Sequence, residues 1–96
     1  MIEYQLEITK TRGWAYCHSC QYPDWPLPVH TSRGARTLAI ALWQAVGDMM
    51  DHDSVLTKIT VKGRPMSKSE ALAIIEKALS GGSMAYALPR YRAYLG

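Results

Sequence analysis

Phenylalanine is missing from these 96 residues, so three tryptophans and six tyrosines carry the aromatic volume. No apolar run approaches the ~20 residues that a bilayer-spanning helix needs, which argues against a membrane partner. The N-terminus, MIEYQLEITK, alternates instead of pairing a charged start with an apolar stretch, so no secretory leader is expected. Repeats and low-complexity segments are lacking too. The expected setting is cytoplasmic, where the two cysteines would stay reduced. Catalytic signatures are equally scarce. There is no glycine-rich P-loop spacing, no nucleophile at a strand-to-helix elbow, and no EF-hand glycine with its distal glutamate. A non-enzymatic protein without a cofactor is the resulting expectation.

What the chain does contain is ordinary globular material. Apolar residues make up 48% and charged residues 20%, and the net charge is +3 with a pI near 9.0. At this length the whole chain, 1–96, is expected to be a single compact domain with one core. The mild positive charge permits an anionic partner without demanding one.

The clearest period runs from Ser32 to Met50, SRGARTLAIALWQAVGDMM. On a helical wheel Ala35, Leu38, Ala39, Leu42, Trp43, Ala45, Val46, Met49 and Met50 fall within an arc of roughly 160°, with Ile40 and Ala41 on the other side. Ser32 or Thr31 is the expected N-cap. Such a start would put Arg33 and Arg36 in the first turn. Asp48, Asp51 and Asp53 crowd the other end, against the usual preference of the helix dipole.

On the N-terminal side, Ile2, Tyr4, Leu6 and Ile8 alternate with Glu3, Gln5, Glu7 and Thr9, a half-buried strand. Lys10–Gly13 reads as a tight turn into a second strand, giving a β-hairpin over the first 18 residues. From Ser19 to Thr31 the period disappears among Pro23, Pro26 and Pro28, and a long irregular connection is expected, tacked down by Trp25 and Leu27. On the C-terminal side, Val55, Thr57, Ile59 and Val61 alternate with Leu56, Lys58, Thr60 and Lys62, a third strand that ends at Gly63. Ser67 and Glu70 form a capping box for a second helix, with Leu72, Ile75, Leu79, Ala71 and Ala78 on its apolar face and Gly81–Gly82 as its stop. Met84, Tyr86 and Leu88 suggest a last short strand. The expected fold is α+β: a small, mostly antiparallel sheet with two helices packed on one face.

Three groups of residues could carry chemistry. Cys17 and Cys20 form half of a zinc site, which His30 and another histidine would have to complete. With no second Cys pair, a metal site is the alternative and ordinary thiols the expectation. Arg33 and Arg36 flank Gly34 at the expected helix start and could hold a phosphate, or could simply pair with Glu3 or Glu7. The third group is basic: Lys58, Lys62, Arg64 and Lys68 around the third strand, and Arg90 and Arg92 between Tyr86, Tyr91 and Tyr94. Interleaved arginine and tyrosine suits protein interfaces as well as nucleic acid.

The functional expectation is a small interaction protein of the accessory or inhibitory kind that phages and mobile elements carry. It would bind a protein or nucleoprotein partner through a basic face of Arg33, Arg36, Lys58, Lys62, Arg64, Lys68, Arg90, Tyr91 and Arg92. Direct nucleic-acid binding is the first alternative, and a zinc-stabilised domain on Cys17, Cys20 and His30 the second.

Overall fold

A computed structural model describes residues 2–11, 15–21 and 34–96, with the backbone alone for Ile2, Thr11 and 15–21. Strands β1 (Ile2–Thr11) and β2 (Ala15–Gln21) form the expected antiparallel hairpin, with Leu6 opposite Cys20 and Thr11 opposite Ala15. β2 runs to Gln21, past the expected loop start at Ser19. The expected connection through Pro23, Pro26, Pro28 and Trp25 lies outside the described residues, as do Arg33 and His30.

Helix α1 spans Leu38–Met50, shorter than the periodic stretch. Its N-cap is Thr37, whose Oγ1 accepts the Ile40 amide at 3.2 Å. Neither Ser32 nor Thr31 caps it, and Arg36 therefore precedes the helix instead of opposing the dipole from its first turn. Ala41, Leu42, Ala45, Val46 and Met49 are buried, so Ala41, placed on the polar side by the wheel, belongs to the core. An arc that wide packs against the sheet on one side and the other helices on the other.

A three-residue turn leads from α1 into β3 (Ser54–Val61), which lies beside β1 and parallel to it. Short β4 (Arg64–Met66) returns along the outer side, giving a sheet of order β2-β1-β3-β4. The sheet is thus mixed, and its central pair is the parallel one, where a mostly antiparallel sheet was expected. The reason is connectivity: parallel neighbours need a crossover, and β2 followed by α1 provides it.

The alternation in β3 changes phase midway. The pairing to β1 slips between Tyr4 and Gln5, so that Leu56 faces Tyr4 and Lys58 faces Gln5. Thr57 is the extra residue of a bulge, and its Oγ1 donates to the Tyr4 carbonyl at 3.0 Å. Leu56 and Ile59 are both buried as a result, and Thr57 is exposed, the reverse of the uniform alternation expected over 55–57. Lys62 and Gly63, with φ of 52° and 78°, then make a two-residue hairpin turn into β4. β4 was not expected, because Lys is an unusual first residue in a turn that needs φ > 0 twice.

Helix α2 (Lys68–Leu79) is capped by Ser67, whose Oγ accepts the Glu70 amide at 3.1 Å, and it buries Ala71, Ile75 and Leu79. Ala78, expected on that face, is exposed. The last expected strand is absent: Ala85–Ala87 is a 3₁₀ turn that feeds helix α3 (Leu88–Leu95). Pro89 sits in the first turn of α3, where its missing N–H costs nothing. Leu88, Tyr91 and Leu95 are buried on the face that meets α1 and α2. The expected α+β class stands, with three helices in place of two. All three share a single core with Tyr4, Leu6 and Ile8 of β1 and Leu56 and Ile59 of β3. No helix among the described residues is long and apolar enough to cross a membrane.

Candidate functional site

The second half of α1 and the segment from Met84 to α3 do not close fully on each other. Between them runs a groove of about 350 Å³. Its α1 wall is set by helical spacing, since Trp43, Gly47 and Met50 recur on one face. Met84, Tyr86 and Arg90 form the facing wall. A second depression of about 330 Å³, lined by Ala93 and Tyr94, shares Met50 and Arg90 with the first, so the two adjoin.

Tyr91 forms the floor. It is 3% exposed, and its hydroxyl donates to the Trp43 carbonyl at 2.7 Å. Glycine at position 47 leaves room for that approach, since a Cβ there would stand a tight 3.1 Å from the Tyr91 hydroxyl oxygen. Burial pushes the Tyr91 hydroxyl above its usual range; Arg90 opposes the shift, while Asp48, Asp51 and Tyr86 add to it. Tyr91 therefore keeps its proton and remains a donor at neutral pH. Below it Tyr94 bonds Ser54 Oγ at 2.8 Å, and Ser54 commits its own proton to the Met49 carbonyl at 2.7 Å, so Tyr94 is the donor. α3 is thus tied to the end of α1 through the start of β3.

Tyr86 is the exception to this economy. It is 77% exposed, the one large apolar side chain left in solvent among the described residues. Its ring stands beside a groove of methionine and tryptophan, with its hydroxyl 3.8 Å from Met84 Sδ. The polar rim is mixed. Asp48 lines the groove, and Asp51 lies 3.8 Å from Arg90 with both side chains mostly exposed.

The residues expected to form one basic face fall on separate elements. Arg36 is exposed ahead of α1, and Arg64 is exposed on β4. Lys62 occupies the β3–β4 turn, and Lys68 opens α2, half-buried. Lys58 is exposed on the outer face of the sheet, opposite Gln5 and hence flanked by Glu3 and Glu7. On α3, Arg90 and Arg92 meet Asp51 and Glu76, the latter at 3.5 Å. Tyr91 lies in the core and not on an outer face. Arg33, like His30, lies outside the described residues, and so do the side chains of Cys17 and Cys20. Among the described residues no three His, Cys, Asp or Glu side chains come together as a metal site.

Sequence reasoning missed Trp43, Met50, Met84 and Tyr86 as one surface, because the segment after Gly82 was read as a strand. Gly47 was the available signal. A glycine inside an otherwise strong helix costs up to about 1 kcal/mol relative to alanine and points to a close approach. Compared with known proteins, the chain matches no family model, no curated protein and no solved structure.

Proposed function

We propose that this chain is a small, non-catalytic interaction protein that binds a protein partner through the groove between α1 and α3. The observation that carries this reading is Tyr86, exposed beside a methionine- and tryptophan-lined groove on an otherwise well-buried domain. Aromatic, methionine and arginine side chains are enriched in the cores of interfaces. Methionine also adapts its shape to what it meets. Arg90, at the rim, adds the arginine component. The proposed role is accessory or inhibitory, in a cytoplasmic setting.

Direct nucleic-acid binding is less well supported. Phosphate contacts draw on lysine and arginine charge, which carboxylates offset here: Lys58 shares the outer face with Glu3 and Glu7, and Arg90 and Arg92 each pair with a carboxylate. The test is a paired measurement. Capture from the native host with the full chain as bait should yield a defined partner, and Tyr86→Ala should weaken that complex by about 2 kcal/mol, as for an interface anchor. A mixed-sequence DNA duplex should bind weakly at physiological salt. Partner capture unaffected by Tyr86→Ala, or tight salt-dependent binding to the duplex, would refute the proposal.

A further inference from the structure

Two methionines line the groove from its opposite walls, and both can be reached from solvent. Met50 on α1 and Met84 ahead of α3 are each half-buried. Met49, one residue from Met50, is 1% exposed in the core. A peroxide must touch a thioether sulfur to oxidise it, so it reacts in the groove before it reaches the core. Met66 on β4 is half-buried as well, but lines neither depression. Met84 has a second feature. Its Sδ lies 3.8 Å from the hydroxyl of the exposed Tyr86, and a thioether sulfur is only a weak acceptor. An oxygen added to Sδ on the hydroxyl's side would place a strong acceptor within ordinary hydrogen-bond distance of it.

We propose that Met50 and Met84 are sites of oxidation by hydrogen peroxide, and that the Met84 sulfoxide captures the Tyr86 hydroxyl. At each site a sulfur lone pair attacks one peroxide oxygen. The S–O bond forms as the O–O bond breaks, and the proton on the transferred oxygen passes to the departing hydroxide, which leaves as water. The thioether is oxidised by two electrons and the peroxide is reduced.

Each sulfoxide turns a flexible apolar side chain into a polar one. The groove then changes from a surface that takes apolar side chains to one that keeps its water, with Tyr86 drawn onto Met84. That consequence for docking rests on the groove being the docking site, as proposed above. The oxidation and the capture of the hydroxyl do not.

The full chain, treated with dilute hydrogen peroxide and sampled over time, tests this by peptide mass spectrometry and by NMR of chains isotope-labelled at tyrosine Cζ. Met50 and Met84 should oxidise about tenfold faster than Met49 or more, because a buried side chain reacts only when the fold opens around it. The Tyr86 resonance, assigned by its loss in Tyr86→Phe, should shift on oxidation of the wild-type chain. It should stay in place in Met84→Leu, where Met50 and Met66 still oxidise. Leucine matches methionine closely in volume, so that variant should fold, and an unchanged denaturation midpoint verifies it. Met49 oxidised as fast as Met84 would overturn the proposal, as would a Tyr86 resonance that ignores oxidation or shifts equally in Met84→Leu. Loss of the cooperative unfolding transition on oxidation would overturn it too, since the sulfoxides would then be a lesion of the fold. Docking is read separately, with the oxidised and repurified chain as bait, and its partner complex should weaken about tenfold, as when an interface anchor is lost. A complex weakened by Tyr86→Ala but indifferent to oxidation overturns the docking consequence and leaves the groove reading intact. A complex indifferent to both overturns the groove reading, while the sulfoxide chemistry stands on its own results.

Discussion

Tyr91 and Gly47 meet where α3 crosses α1. The hydroxyl bonds the Trp43 carbonyl at 2.7 Å, and a Cβ at position 47 would crowd it at 3.1 Å. Tyr91→Phe should cost about 0.5–1.5 kcal/mol, the net worth of one hydrogen bond. Gly47→Ala has two opposed effects: alanine favours the helix by about 0.8–1.0 kcal/mol, and its Cβ crowds the hydroxyl. Alone it should be neutral or destabilising. In the Tyr91→Phe background it should stabilise by up to about 1 kcal/mol, and a double-mutant cycle by urea denaturation reads the difference. Equal effects in both backgrounds would show that the contact is slack. Titration gives a second readout. The folded hydroxyl holds its proton more tightly than the unfolded one, so its share of stability is complete below the ordinary tyrosine value near 10. That share is lost as pH rises from there through the folded value. Tyr91→Phe should therefore flatten the alkaline limb of a stability–pH profile.

At the scale of elements, α1 holds the fold together. Leu42 and Ala45 are fully buried, and the helix touches the sheet and both other helices. Leu42→Ala should destabilise by roughly 2–5 kcal/mol, from lost burial and a cavity that close packing cannot collapse. A wild-type denaturation midpoint would remove α1 from that role. The hairpin, α1, β3 and α2 were legible because each shows a period with a physical cause: alternation from the pleat, helical spacing from the turn, Ser67 from its capping oxygen. The misreadings have causes too. Thr57 stands in a bulge, and a one-residue insertion inverts the alternation without changing composition. Met84, Tyr86 and Leu88 alternate by coincidence. The spacing that governs is Leu88, Tyr91 and Leu95, a helical face opened by Pro89, and it was outweighed by three residues of apparent strand. The direction of β3 was not legible, since alternation says which face is buried and not which way a strand runs. The groove was illegible for a related reason: it needs α3 to be a helix before Tyr86 and Met84 can face Trp43.

For the whole molecule, the question is whether α3 is an appendage or part of the fold. It contributes Leu88, Tyr91 and Leu95 to the common core and supplies the Tyr94 link to Ser54 and Met49. Each buried side chain of that size is worth roughly 1.5–3 kcal/mol relative to exposure. Three of them amount to a sum comparable with the whole net stability of a small domain, about 5–15 kcal/mol. Its two surface ion pairs add little, because both are exposed. A chain truncated after Gly82 should therefore lose its cooperative unfolding transition altogether. The alternative, a domain that merely lacks a tail, would keep a sharp transition with a slightly lower midpoint. Circular dichroism during urea titration separates the two. If the truncated chain unfolds cooperatively near the wild-type midpoint, the groove is bounded by a detachable arm. If it does not, the surface that carries Tyr86 is continuous with the core, and the groove exists only in the folded chain.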